Sequence, residues 1–239
     1  AAGGLDYLVK LAERMLRKHP SRVTLLSPLV TYLFTFVAGT GHIAYSVLPV
    51  IAEVARETKI RPERPLGIAV IASQQAITAS PISAATVALL GMLAGFDISL
   101  FDILKISVPA TLIGVLVGAF CSMKVGRELE DDPEYQRRLK EGMIEDRLVE
   151  TASSFDVRKA RISVGIFLLA TFLIVLFGSI DALRPTFTSG GKSVLLDMPS
   201  IIEIIMLSTS ALILLLCRID GIKAVQGSIF SAGMQAVIA

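Results

Sequence analysis

Two long stretches of this chain carry no charge at all. Val23–Ala52 runs for thirty residues without an Asp, Glu, Lys or Arg, and Pro65–Phe96 for thirty-two. A helix on a soluble core needs charge on its outer face every few residues. A hydrocarbon layer forbids it. The chain therefore reads as an integral membrane protein, and its 53% hydrophobic and 18% charged residues lie on the apolar side of ordinary globular composition. The net charge of +2 gives no electrostatic case for nucleic acid. Cys121 and Cys217 stand alone in apolar stretches with no metal or redox spacing. No CxxC, HExxH, GxSxG or GxxxxGK[ST] pattern occurs, so no metal, cofactor or enzyme reading gains support. An intramembrane enzyme would rest on His42 and a serine alone, with no acid placed to orient them. The first residue is not Met and the last segment stops inside an apolar run, which reads as a piece of a longer chain.

Residues 5–18 predict an amphipathic helix. Leu5, Leu8, Ala12, Met15 and Leu16 form its apolar face, with Lys10, Glu13, Arg14, Arg17 and Lys18 opposite. The unit 1–22 is expected at the membrane interface, and packing on neighbouring protein is the alternative. Unit 23–55 holds two apolar pieces around Gly39-Thr40-Gly41-His42. The first, Val23–Ala38, is too short at 16 residues for a full span of roughly 20, and Ile43–Ala52 is shorter still. Two short helices around a Gly-rich turn predict a re-entrant hairpin, tolerated at membrane depth only where it is buried or lines a cavity.

Unit 66–123 begins with Leu66–Met92, interrupted at Thr78-Ala79-Ser80-Pro81-Ile82-Ser83. Ser80 before Pro81 resembles an N-cap followed by the favoured first helical residue, so a helix is expected to restart there in mid-span. A simple proline kink is the blander reading. Gln74 and Gln75 just ahead of the break have no structural need and point towards a cavity. Ile103–Met123, Ile162–Ile180 and Pro199–Cys217 are further spans. Glu203 is expected in the first turn after Pro199, at the interface. The polar segment 124–161 carries nine basic and ten acidic residues and predicts a short helix from Asp132-Pro133 to about Leu148, with a Glu134–Arg138 pair. Unit 162–217 gives two spans opening a second repeat, and 218–239 the start of the next interfacial or hairpin unit.

Lys and Arg number five in 1–22, four in 56–65 and nine in 124–161, against none in 93–102 and two in 181–198. The positive-inside rule puts the first three segments in the cytoplasm. The unit 23–55 must then enter and leave from one face, as its short pieces also require.

A hairpin tip and a broken helix at membrane depth would present helix N-termini to each other, the anion site of transporters built from broken helices. Gly39 and Gly41 let backbone approach a ligand. Thr40, Ser80 and Ser83 offer hydroxyls, and His42 a donor or a pH-sensitive charge. With Thr78 and Pro81, these eight residues form the expected substrate site.

The strings AGTGHIAYSVLPVIAEVARE, RPERPL and AITASPISAA resemble the anaerobic C4-dicarboxylate transporter (Dcu) family, as do AGGLDYLVKLAERMLRKHP, DDPEYQRRLKEG and IFSAGM. VIAEVA and DDPEYQRRL look more like its DcuA branch, while GTGH looks as close to DcuB. The resemblance implies a bacterial inner-membrane carrier for fumarate, succinate, malate and aspartate, working by exchange or cation-coupled uptake, and not an enzyme. A co-transported cation, a homodimer and a membrane sensor kinase are further partners it leaves open, and acting as that kinase's co-sensor is the alternative function. More distantly the pattern looks like the ion-transporter superfamily: an all-α polytopic fold of inverted repeats, each with one hairpin and one broken helix. On that pattern Gly39–His42 matches the hairpin tip and Thr78–Ser83 the break. The superfamily's Ser-Asn-Thr tip is replaced by Gly-Thr-Gly-His, so an Asn-based cation site does not transfer. Family members are about twice this length, so the substrate site would be half present here.

Overall fold

The computed structural model describes residues 2–93, 95–96, 98–143, 156–189 and 192–219. The expected unit 218–239 and the stretch 144–155 lie almost wholly outside them. In chain order the helices are α1 (Gly4–Lys18), α2 (Val23–Ala38), α3 (His42–Glu57), α4 (Glu63–Ala79), α5 (Ala84–Met92), α6 (Leu100–Ser122), α7 (Pro133–Lys140), α8 (Val157–Ser179) and α9 (Met198–Leu216). Five stretches among the described residues are long and apolar enough to cross a bilayer: Pro20–Ala38, Glu63–Met92, Leu100–Ser122, Val157–Ser179 and Met198–Leu216. The architecture is that of a helical, polytopic membrane protein.

One element departs from the expected all-α reading. Strands β1 (Thr186–Ser189) and β2 (Lys192–Leu195) pair antiparallel, with Thr186 opposite Leu195 and Ser189 opposite Lys192. Runs rich in β-formers on either side of Gly190-Gly191 are the sequence signal for such a hairpin.

Helix α3 extends five residues beyond the apolar piece, to Glu57. Its outer part is amphipathic, which a search for uncharged residues passes over. Both arms of the hairpin are thus 16 residues long. Helix α7 stops at Lys140, short of the expected Leu148. Gly142 takes a φ of +67°, and the Gly142 and Met143 amides bond back to Leu139 and Arg138 at 3.2 and 3.0 Å. That pair of bonds around a left-handed glycine ends a helix. The expected Glu134–Arg138 pair forms at 2.7 Å. Asp197 caps α9, so Glu203 falls in its second turn, exposed, and not in the first.

Side-chain contacts give the directions of the helices. Ser27 bonds the Pro65 carbonyl (3.1 Å), Thr31 reaches that of Ala69 (3.0 Å), and Thr35 reaches the Ser73 hydroxyl (3.4 Å). The offset is 38 residues each time, so α2 and α4 run parallel. Helix α3 returns beside the pair, antiparallel to both. Helix α1 runs alongside α3 in the same direction, since Leu5 shares a groove with His42 while Arg17 bonds Glu53 and Glu57. Its buried residues are Val9, Ala12 and Leu16, whereas Leu5 and Met15 of the expected face are exposed. Helix α6 comes back antiparallel to α4. It starts where Leu100 packs on Gly178 of α8 and Met198 of α9, and ends beside Arg61 and Arg64.

Ionic contacts gather at one end of the bundle. Arg17 of α1 donates to Glu13, to Glu53 and, through one nitrogen, to both oxygens of Glu57 at 2.8–2.9 Å. The three carboxylates hold its guanidinium firmly protonated, Glu57 most of all. Lys59 pairs with Glu130, and Arg61 with Asp132 (3.0 Å). Arg64 is buried, and donates to the Val125 and Gly126 carbonyls and to Glu128. Segments 56–65 and 124–132 are therefore joined to each other, and α1 to the outer end of α3.

Candidate functional site

Helix α2 ends because Gly39 turns left-handed, φ +71°, and returns its amide to Thr35 at 2.8 Å. A Cβ at Gly39 would stand 2.8 Å from Cγ1 and 3.1 Å from the carbonyl oxygen of Ile82, so only glycine fits between the tip and the helix break. Gly41 lies equally close to α4. A Cβ there would meet Ile77 at 3.1 Å and Ser73 and Gln74 at 3.3 Å. The expected tip, Gly39–His42, and the expected break, Thr78–Ser83, are thus in direct contact.

Ser80 makes the joint. It is fully buried, and its hydroxyl donates to the Phe36 carbonyl at 2.6 Å. Carbonyls in the last turn of a helix have no partner of their own, and Ser80 supplies one from another helix. It is not the N-cap of the second half-helix. It closes α4 in extended conformation (ψ 131°), as a residue before proline prefers. The N-cap is Ser83, whose oxygen accepts from the Thr86 amide at 3.2 Å. The four residues between Ala79 and Ala84 break the helix, and Pro81 is buried within them.

The helices that start at the tip and after the break therefore begin differently. Helix α5 is closed by its own serine. Helix α3 has Gly41 at its N-cap and no side-chain cap; the His42 amide has only a long contact, 3.4 Å, to the Thr40 hydroxyl. Thr40 and His42 are exposed, and His42 tilts against Tyr45. Both open onto an apolar groove of about 460 Å³ whose other walls include Leu5 and Leu8 of α1 and Phe167 and Leu168 of α8. Thr78 is also exposed, its hydroxyl turned back to the Gln75 carbonyl at 2.7 Å. Ser80 and Ser83 face inward, and each hydroxyl lies against backbone. Among the described residues no group of three His, Cys, Asp or Glu is placed to hold a metal ion.

The level of this junction is fixed by its neighbours. Phe36, Ala76 and Ala79 pack with Val108 and Leu112, in the middle of the 23-residue α6. Thr40 and His42 face Val164, Phe167 and Leu168, in the middle of the 23-residue α8. Tyr32, one turn before Phe36, bonds Thr111 at 2.8 Å. Tip and break lie halfway along the two longest apolar helices.

The sequence of the whole chain, residues 1–239, matches the family model described as anaerobic C4-dicarboxylate membrane transporter. The chain belongs to that family. It is 42% identical over 241 residues to the C4-dicarboxylate transporter DcuA of Escherichia coli (strain K12), covering 99% of this chain and 54% of the relative. DcuA of Wolinella succinogenes is 41% identical over 239 residues, with the same coverage. The anaerobic C4-dicarboxylate transporter DcuB of Escherichia coli O6:H1 is 36% identical over 248 residues, covering 100% of this chain and 55% of the relative. The chain spans about half the length of these relatives. No solved structure matches it. As a member of a membrane transporter family with five apolar helices, the chain is a multi-pass membrane protein.

Proposed function

We propose that this chain forms one half of a secondary transporter for C4-dicarboxylates such as fumarate, succinate, malate and aspartate. The observation that carries the reading is the contact between hairpin tip and helix break halfway along α6 and α8, in a chain of the C4-dicarboxylate transporter family. Because α2 and α4 run parallel and α3 returns antiparallel beside them, the hairpin enters and leaves at the ionic end and reaches only mid-depth. That is the behaviour of a re-entrant element. The ionic end also collects the three segments richest in Lys and Arg, which the positive-inside rule assigns to the cytoplasm of a bacterial inner membrane.

One carboxylate of the substrate lies at the open start of α3. It takes hydrogen bonds from backbone N–H groups at Gly41 and His42 and from the Thr40 hydroxyl, with His42 beside it. Gly39, Ser80, Pro81 and Ser83 hold that start in place against α4, and Thr78 edges the same junction. The other carboxylate belongs to the second half of the full-length protein. The two halves then move against a scaffold to expose the site alternately, and exchange of one dicarboxylate for another moves no net charge.

The full-length protein, reconstituted in liposomes loaded with succinate, tests this through entry of labelled fumarate with and without sodium or proton gradients. Uptake that needs internal succinate and ignores the gradients is the expected result. Thr40→Ala is expected to raise KM about tenfold, the loss of one hydrogen bond to a charged group. Ser80→Ala is expected to lower the melting temperature and leave KM within twofold. Absence of dicarboxylate uptake in the unmodified protein would overturn the reading.

A further inference from the structure

Two uncharged amides stand at the level of the junction. Gln74 and Gln75 of α4 are exposed, and among the described residues their side chains make no hydrogen bond. Their depth is set by Ala72 and Ala76 on the same helix, which pack with Val108 and Val115 near the middle of α6. A primary amide turned towards acyl chains loses its water partners and gains none, so bilayers do not leave one there. The pair therefore meets protein groups or water in the full-length protein, and not acyl chains.

Of the two, Gln74 is the one at the tip. Its Nε2 lies 3.3 Å from the position a Cβ would take on Gly41, the residue that opens α3. Glycine leaves that space clear. No Lys or Arg occurs in Val23–Ala52 or Pro65–Phe96, so this half of the site offers a dianion no cationic side chain. A primary amide supplies two N–H donors without a charge. We infer that Gln74 is a substrate-contacting residue, donating an amide N–H to a carboxylate oxygen of the dicarboxylate where a cationic side chain would otherwise serve. This rests on the dicarboxylate reading above. It adds a residue that the hairpin and break motifs do not contain.

The experiment uses the full-length protein in liposomes, with uptake by the unmodified protein measured first. If that protein carries no dicarboxylate, the functional reading itself fails. If it does, Gln74→Ala is expected to raise KM for fumarate and succinate about tenfold with little change in kcat. Gln74→Glu, which sets a carboxylate against a carboxylate, is expected to raise KM further. Gln75→Ala is expected to stay within twofold. In a background without cysteines, Gln74→Cys is expected to react with a small charged methanethiosulfonate and to be protected by succinate. This second readout decides the matter if an alanine variant fails to reach the membrane. An unchanged KM in Gln74→Ala, a larger effect at Gln75, a thiol at 74 that does not react, or labelling that succinate leaves untouched would each overturn the assignment.

Discussion

The ionic end and the junction hold the same helices together by opposite means. At the ionic end Arg17, Lys59, Arg61 and Arg64 meet carboxylates from other elements. At the junction, about fourteen residues or ~20 Å further along α4, no charged side chain of the described residues takes part. There Ser80 meets a carbonyl, and two glycines let backbone meet side chain. The difference follows from the surroundings. Exposed ion pairs are screened and individually weak, and most of those at the ionic end are of this kind. A lone hydroxyl-to-carbonyl bond sheltered from water is worth more than its size suggests, because breaking it strands a buried acceptor. Charge gathers at the ionic end, where carboxylates and carbonyls meet even the buried Arg64, and the junction is left to small uncharged groups.

The largest expected effect comes from filling the junction. Gly39→Val combines a left-handed φ with a clash into Ile82 backbone. Strain and overpacking together should cost about 4 kcal/mol, read as a fall of many degrees in the melting temperature of the detergent-solubilised protein. Uptake should be lost even in whatever fraction folds.

Next comes Arg64, a buried arginine at the ionic end. Arg64→Met keeps the bulk of the stem and removes the donors to Val125, Gly126 and Glu128. A loss of about 3 kcal/mol is expected, with faster proteolysis of the 124–132 loop. Arg17→Gln, at an exposed cluster, should cost well under half of that. If Arg17→Gln proved the more damaging, the contrast drawn between screened and buried contacts would fail.

The smallest effect is a titration. The Arg137 and Arg138 guanidiniums hold the Glu134 carboxyl down at about 2. With the folded value depressed, the support these pairs give α7 is complete above the ordinary carboxylate value of 4.5 and is lost as pH falls towards 2. Carboxyl NMR of Glu134, assigned with Glu134→Gln, should show a midpoint near the lower figure. One molar salt should move it up.

Much of this was legible from residue order. Uncharged runs give the spans, since a bilayer tolerates little else. The Gly-Thr-Gly-His turn and the Ser-Pro break were visible because glycine and proline report on backbone directly. What remained hidden was what each polar side chain touches. Ser80 and Ser83 look interchangeable in sequence, yet one caps α2 from outside and the other opens α5. Deciding between them needs the approach of Phe36, forty-four residues away. The last five residues of α3 lie outside the uncharged run because a helix that packs on protein carries charge. The β-hairpin was missed because attention to apolar length passes over a short Thr- and Ser-rich loop.

The constant offset between Ser27, Thr31 and Thr35 and their partners on α4 fixes the register of the two helices. Sliding α2 by one residue would break all three bonds together. Ser80 holds Phe36 and Ile82 closes on Gly39 at the far end of the same seam, so α2 and α4 keep one level and move as one body.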